Sequence, residues 1–389
     1  MREVSVDAHI IAKINNGKSF FYQNELPQSF PSLSPGEWFI IKSDTQSFTA
    51  FGNDFVKAGP KVYVLCEGSY QPHDYLNQRL VKAFQKRSHL YQHEGKRLVF
   101  GQNDDLPGLI IDLYKKFIII QINNAGLDQH RNLIKEITIE NFKNHKAFFL
   151  DNPKYREDES LPVFEKEWND EEIIEINDSQ IIYKLPFSKL QKIGFYYDHR
   201  DNRNKFERYL HNIQNKDKAL DLFCYLGAWG LHAMRAGSKE ITFVDQAALE
   251  SEVVENTKQI EGKFNIEFKR EDVFKFLDNS IKENKKWDVI VCDPPAFCKT
   301  IKQKPQAISG YKKLFNKVFK LLLPNSTLVA ASCTKYLSLD EFTKIVEMQA
   351  KENGRKITLK DIGMQAQDHP VSSLSDSGNY IKYALYGVE

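Results

Sequence analysis

The chain has 389 residues, 41% hydrophobic and 27% charged, with a formal net charge of +2. That length exceeds one ordinary core and asks for two or three domains, and the near-balanced charge excludes a dedicated polycationic nucleic-acid coat. No apolar run approaches the roughly 20 residues that span a bilayer, the first residues lack the segments of a signal peptide, and the five cysteines contain no C-x-x-C pair, so membrane insertion, disulfides and structural metal are not expected. A cytoplasmic location follows.

Residues 1–75 are short strand-like runs, such as Glu37–Lys42 and Lys61–Cys66, separated by turn clusters like Ser34-Pro35-Gly36. They predict a small β-barrel. From Asp74 to about Asn103 the pattern is helical and then turning. Leu109–Asp112 and Phe117–Ile122 flank Tyr114-Lys115-Lys116 as a hairpin, a helix is expected over 127–143 and a strand near 147–150. Residues 76–180 thus read as a central α+β domain, ending in an acidic stretch from Tyr155 to Glu175 expected to be an exposed linker. A basic run, Arg79, Lys82, Lys86, Arg87, Lys96 and Arg97, reads more readily as a solvated helix face than as a nucleic-acid contact.

After Ile181 the rhythm changes to strand, loop, helix, repeated. Strands fit 218–223, 240–245, 265–269, 287–292, 326–332, 356–361 and 379–387, and helices fit 201–212, 229–236, 247–260, 273–284, 310–323 and 338–353. The fold class is therefore α/β, a Rossmann-like doubly wound sheet over 181–389. This part carries 33 Lys+Arg against 26 Asp+Glu, whereas the first 180 residues carry 21 against 26.

Its first strand, Ala219-Leu220-Asp221-Leu222-Phe223, runs into Cys224-Tyr225-Leu226-Gly227-Ala228-Trp229-Gly230. Glycines at such a turn let backbone approach a ligand, but the G-x-G-x-x-G fingerprint is absent and an Asp lies in the strand, which disfavours a phosphate-bearing dinucleotide. A cationic, phosphate-free cofactor fits better, and S-adenosylmethionine is one. Asp221 would face its amino group, Asp245 at the next strand end would accept the ribose hydroxyls, and Asp272 after the third would accept the adenine amino group. Any one of these acids alone could equally be a helix N-cap.

The run Trp287-Asp288-Val289-Ile290-Val291-Cys292 ends in Asp293-Pro294-Pro295-Ala296-Phe297. Neither proline has an N–H for a sheet, so Asp293 must sit at a strand's carboxyl end, where open α/β sheets bind ligands. Forty residues on, Ser326–Ser332 is a second apolar strand, ending in Cys333. Two strand ends thus offer an acid and a thiol to one pocket.

From Ile193 onward, and from about Gly95, the chain resembles the RlmI-type SAM-dependent ribosomal RNA cytosine-5 methyltransferases. The matching pieces are Lys192–Arg203, Asp221–Gly227, Asp293–Phe297, Ser332-Cys333-Thr334 and Asp368-His369-Pro370-Val371, with Leu98–Asp112 in the middle domain. Together these motifs are highly specific. The resemblance implies a PUA-like barrel over 1–75, a central α+β domain over 76–180 and a class I methyltransferase domain over 181–389. It implies Phe195, Arg200, Asp221, Phe223, Gly227, Asp245, Asp272 and Asp293 for the cofactor, Pro294, Pro295, Phe297 and His369 for the substrate, no metal, and RNA as partner. A homodimer is left open.

Carbon 5 of cytosine is a poor nucleophile and needs a thiolate added at carbon 6, the role expected of Cys333, while Asp293 holds a proton on ring nitrogen 3. Lys335 or His369 is expected to favour the thiolate. Tyr196 and Phe297 could stack on a base taken out of its helix. Cys292 and Cys298 read as buried or incidental, and no residue stands out to remove the carbon 5 proton. A guanine N-methyltransferase would need no thiol, and a noncatalytic RNA-binding ribosome-assembly protein would not need acids at four strand ends.

Overall fold

The strand and helix alternation expected after residue 181 forms a single seven-stranded sheet with helices between its strands. The computed structural model describes every residue except 58, 91, 93, 191–193 and 374–377; Lys192 and Ile193 of the Lys192–Arg203 motif therefore lie outside the described residues. Two compact units are present, residues 1–177 with 185–195, and residues 178–184 with 196–389.

In the first unit, the strands Arg2–Ser5, Phe20–Phe21, Glu37–Lys42, Ser47–Gly52 and Val62–Glu67 form one five-stranded sheet. A second sheet joins Lys96–Phe100, Leu109–Leu113, Phe117–Ile122 and Lys146–Phe149, with Leu109 opposite Ile122 in the expected antiparallel hairpin. The helix expected over 127–143 is two, Ala125–Asp128 and Arg131–Asn141. Composition misjudged two charged stretches here. Pro153–Asp158 is helical, and Arg156 is fully buried, donating to both oxygens of Asp128 at 2.7 and 3.0 Å. The basic run is not a solvated face throughout either: Arg87 pairs with Asp104 and Arg97 with Asp112, all four buried, and Lys96 donates to the Leu90 carbonyl. A charge pattern along a chain does not say which cations meet carboxylates distant in sequence.

In the second unit the strands are β1 (Lys218–Leu222), β2 (Glu240–Asp245), β3 (Asn265–Arg270), β4 (Trp287–Cys292), β5 (Leu322–Ser332), β6 (Ile357–Gly363) and β7 (Lys382–Val388), in sheet order β3-β2-β1-β4-β5-β7-β6. The helices are α1 (Arg200–His211), α2 (Ala228–Arg235), α3 (Glu250–Thr257), α4 (Val273–Lys282), α5 (Lys304–Leu321) and α6 (Leu339–Glu352). β1 to β5 are parallel, and β7 runs antiparallel between β5 and β6. This is the doubly wound order with one antiparallel strand inserted near its end, and the strand order reverses between β1 and β4. β4 is apolar and buried because helices cover both faces of a parallel sheet. Cys292, fully buried within it, is core.

Helix α5 begins six residues before the expected 310. Pro305 in its first turn is the start signal, and Gly310 lies inside the helix because a Cβ there would meet the Phe297 ring at 2.9 Å. Gly230 has a similar reason. Its added Cβ would lie 2.2 Å from Cε1 of Phe243 on β2, so this glycine lets α2 pack closely on the sheet and is not there only for a ligand. Gly230→Ala is expected to lower stability by about 1–3 kcal/mol through overpacking, measured as a lower urea midpoint at unchanged slope.

Candidate active site

The turn from β1 to α2 is shaped by carboxylates. Asp221, 1% exposed, accepts from the Gly230 N–H at 2.8 Å through Oδ2, and its Oδ1 has no hydrogen-bond partner among the described residues. Phe223, Tyr225 and Gly227 have φ of 60°, 49° and 75°; two non-glycine residues in this region mark a strained turn of the kind found at ligand sites. Asp245, ending β2, holds the turn by accepting from the Tyr225 N–H at 2.9 Å and the Ala247 N–H at 2.8 Å. Asp272 is the N-cap of α4, accepting from the Lys275 N–H at 3.0 Å, and also accepts from Gln246 Nε2 at 2.8 Å.

Asp293 follows β4. Its Oδ2 accepts from Trp229 Nε1 at 2.9 Å, and its Oδ1 lies 3.6 Å from His199 Nε2. The amide of Asn202 donates to the Met364 carbonyl at 2.9 Å and faces His199 Nδ1 at 3.1 Å. With Nδ1 accepting from that amide the proton lies on Nε2, which has no hydrogen-bond partner among the described residues. Sequence reasoning missed Trp229 and His199, since nothing local in either says its ring reaches Asp293.

The ends of β4 and β5 are tied together. Cys333 Sγ donates to the Pro294 carbonyl at 3.7 Å, and the Phe297 N–H donates to Thr334 Oγ1 at 3.1 Å. Tyr311 of α5 bridges Ser332 Oγ and Thr334 Oγ1, each at 2.8 Å, and stacks on Phe297 with centroids 4.5 Å apart. One face of Phe297 is thereby covered. Pro294 is buried, Pro295 exposed, and Tyr196, 42% exposed, meets Tyr225 edge-on.

Arg200 lies beneath this surface. It is 2% exposed and bonds Asp178 and, at 3.4 Å, Asp368, while Arg203 binds the other Asp178 oxygen and the Tyr196 carbonyl at 3.1 Å. Asp368 in turn holds His369 Nδ1 at 2.7 Å, and His369 is 2% exposed. Phe195 is buried in the first unit.

Residues 213–380 match a family model described as a methyltransferase domain. The chain is 33% identical over 319 residues to the ribosomal RNA large subunit methyltransferase I of Shewanella amazonensis, and 31% identical over 318 residues to that of Aeromonas hydrophila, in each case spanning 79% of both chains. The chain belongs to the ribosomal RNA large subunit methyltransferase I family. Among solved structures, one described as a methyltransferase complexed with SAH aligns over 100% of both chains with a TM-score of 0.80 at 19% identity. A SAM-dependent methyltransferase from Streptococcus mutans does so with a TM-score of 0.79 at 18% identity. The fold is that of the class I SAM methyltransferases, and the protein is an S-adenosylmethionine-dependent methyltransferase.

The methyltransferase's acids suit that cofactor. Burial, with Asp293 and Asp245 adding to it against the Gly230 N–H, pushes the Asp221 carboxyl up to about 8. A buried oxygen among three carboxylates, without a hydrogen-bond partner among the described residues, is a place where a cationic group would be held. Asp221→Asn keeps the acceptor for Gly230 and removes the charge; cofactor affinity is expected to fall at least about 10-fold, roughly 1.4 kcal/mol. In the parent protein, calorimetry at pH 7 in buffers of different ionisation enthalpy is expected to show proton release on cofactor binding. The sign for the free protein follows: the fold holds a proton that the unfolded chain gives up near 4, so Asp221 lowers stability as pH rises from about 4 to 8.

The resting thiol is the reverse of the expectation. Burial, then the charges of Asp293 and Asp198, push Cys333 up to about 12. The positive charge acting on it is Lys382, not the expected Lys335, which is exposed.

Proposed function

We propose that this enzyme forms 5-methylcytosine in large-subunit ribosomal RNA through a covalent adduct on Cys333. The observation that carries the reading is the Cys333 Sγ contact with the Pro294 carbonyl, which sets a thiol beside the acid Asp293 at the switch point of the sheet. A guanine N-methyltransferase, the second reading, needs no thiol there. The names of the relatives support ribosomal RNA as the substrate, and the cytoplasm as the place of action.

When bound, the cofactor supplies an electrophilic methyl group on a sulfonium. Cys333 gives up its proton and bonds through sulfur to carbon 6, which makes carbon 5 nucleophilic. Asp293 lends a proton to ring nitrogen 3 as that bond forms. It recovers the proton when water takes the carbon 5 proton, the electrons of that bond restore the double bond and the thiolate leaves. Trp229 holds one oxygen of Asp293 for this task, and His199 stands 3.6 Å from the other. Pro295 and Tyr196, exposed at the mouth, suit contact with a flipped base, and Pro294, Phe297 and His369 back them. Asp245 and Asp272 are assigned the ribose and adenine, with Arg200, Phe223 and Gly227 supporting the cofactor. The five-stranded sheet of residues 1–75 is assigned as the PUA-like barrel and the four-stranded sheet within 76–180 as the central α+β domain, ahead of the methyltransferase domain at 181–389.

The test is incubation with S-adenosylmethionine and RNA containing 5-fluorocytosine. Fluorine at carbon 5 cannot be removed as a proton, so the parent protein is expected to form a denaturation-resistant adduct that Cys333→Ala does not. Undiminished transfer to ordinary RNA by both proteins, with no adduct, would sink the thiol mechanism and favour the guanine reading.

A further inference from the structure

Lys382 stands in an unusual position for a lysine. It opens β7 directly opposite Ser332, the residue before Cys333, and it is 4% exposed. Its Nζ donates to the Thr334 carbonyl at 2.7 Å and to the Tyr380 carbonyl at 3.0 Å. The side chain thus reaches around the turn that carries the thiol. An ammonium has three donors, and these two bonds use two of them. Among the described residues no carboxylate lies within ion-pair distance of Lys382. A buried cation held only by carbonyls is costly unless an anion forms beside it.

We propose that Lys382 is a positioning residue for the methyl-transfer reaction, its ammonium stabilising the thiolate of Cys333. This rests on the reading of Cys333 as nucleophile. In the step concerned the thiol gives its proton to solvent, the sulfur keeps the electron pair, and the new negative charge faces the ammonium. Burial draws the Lys382 amine down to about 8, with the Cys333, Cys298 and Glu341 charges opposing that fall. Cys333 is faced by Asp293 and Asp198, which disfavour its thiolate, and by the phenols of Tyr196 and Tyr311. Lys382 therefore acts against two carboxylates, and its charge is present only below about pH 8. The competing role is purely structural, as a clasp between the carbonyls of Thr334 and Tyr380.

The two roles separate in the rate at which iodoacetamide alkylates Cys333 between pH 6.5 and 9.5, read peptide by peptide by mass spectrometry. The parent rate is expected to climb about tenfold per pH unit at first and to flatten above about pH 8, as the lysine loses its charge. Lys382→Met and Lys382→Gln are expected to alkylate about 10-fold more slowly at pH 7 and to show no flattening. Gln retains donors for the two carbonyls, so it remains informative if the Met variant fails to fold, and SAH affinity within about twofold of the parent certifies the fold. Lys382→Arg, always charged, is expected to keep the fast rate and climb past pH 8 without a break. Profiles that overlay for parent and Gln variant would overturn the inference and leave only the clasp. Alkylation needs neither RNA nor transfer. A residue-382 effect without a 5-fluorocytosine adduct would sink the cytosine reading and keep the electrostatic coupling, and an adduct with indifferent alkylation would do the opposite.

Discussion

Cys333→Ala is expected to lower methyl transfer to ribosomal RNA by at least about 10⁴-fold, because the substitution removes the group that activates carbon 5. Cofactor affinity should stay within about twofold, since Asp221 and Asp245 are untouched, and stability should change little for a partly buried thiol replaced by a methyl. Cys333→Ser should be as inactive, a hydroxyl being far harder to ionise than a thiol. The parent's pH dependence carries a second signature. With the thiol pushed up to about 12, only a small thiolate fraction exists at neutral pH, and that fraction grows about tenfold per pH unit. Alkylation of Cys333 in the free protein should therefore rise across pH 6.5 to 8. Transfer by the Ala variant at the parent rate would remove the thiol from the mechanism.

Asp178→Asn is expected to destabilise the methyltransferase by about 3–5 kcal/mol, because it leaves two fully buried guanidiniums without their shared counter-ion. Arg200 and Arg203 both bond Asp178, and all three are at most 2% exposed. Burial alone would raise this carboxyl, yet the charges of Arg203 and Arg200 outweigh it and hold it at about 2. The sign follows. An acid whose folded pKa lies below its unfolded value contributes stability above about pH 4, and that contribution disappears as the pH falls from about 4 to 2. Thermal unfolding at pH 7 should show a drop of roughly 10 °C or more for the Asn variant, and the gap should close toward pH 2. Because the same arginines hold the Tyr196 carbonyl and Asp368, cofactor-dependent transfer should fall with stability.

The strands and helices of the second unit were legible because their signals are local. The β4 run ends where two prolines stop a strand, and the later helix α6 opens on a capping box at Ser338 and Glu341. Asp221, Asp245, Asp272 and Asp293 could be named because each falls at a strand end or in the turn after it. Asp272 illustrates the limit. Sequence offered both N-cap and ligand contact, and the Lys275 N–H shows that the cap is real. The start of α5 was missed although Pro305 marked it, and the reason for Gly310 inside the helix, the Phe297 ring, is distant in sequence.

By itself the sequence determined that the last half alternates strand and helix, that acids stand at successive strand ends, and that a thiol ends β5. These follow from periodicity of two or 3.6 and from backbone chemistry within a few residues. Only the tertiary structure decided what each side chain meets. It turned Arg87, Arg97 and Arg156 from apparent surface charge into buried ion pairs. It brought Trp229 and His199 to Asp293, and it set Lys382 beside the turn of Cys333 through an antiparallel strand pairing. Such contacts depend on chain closure over tens to hundreds of residues and on desolvation, and neither is written in local pattern.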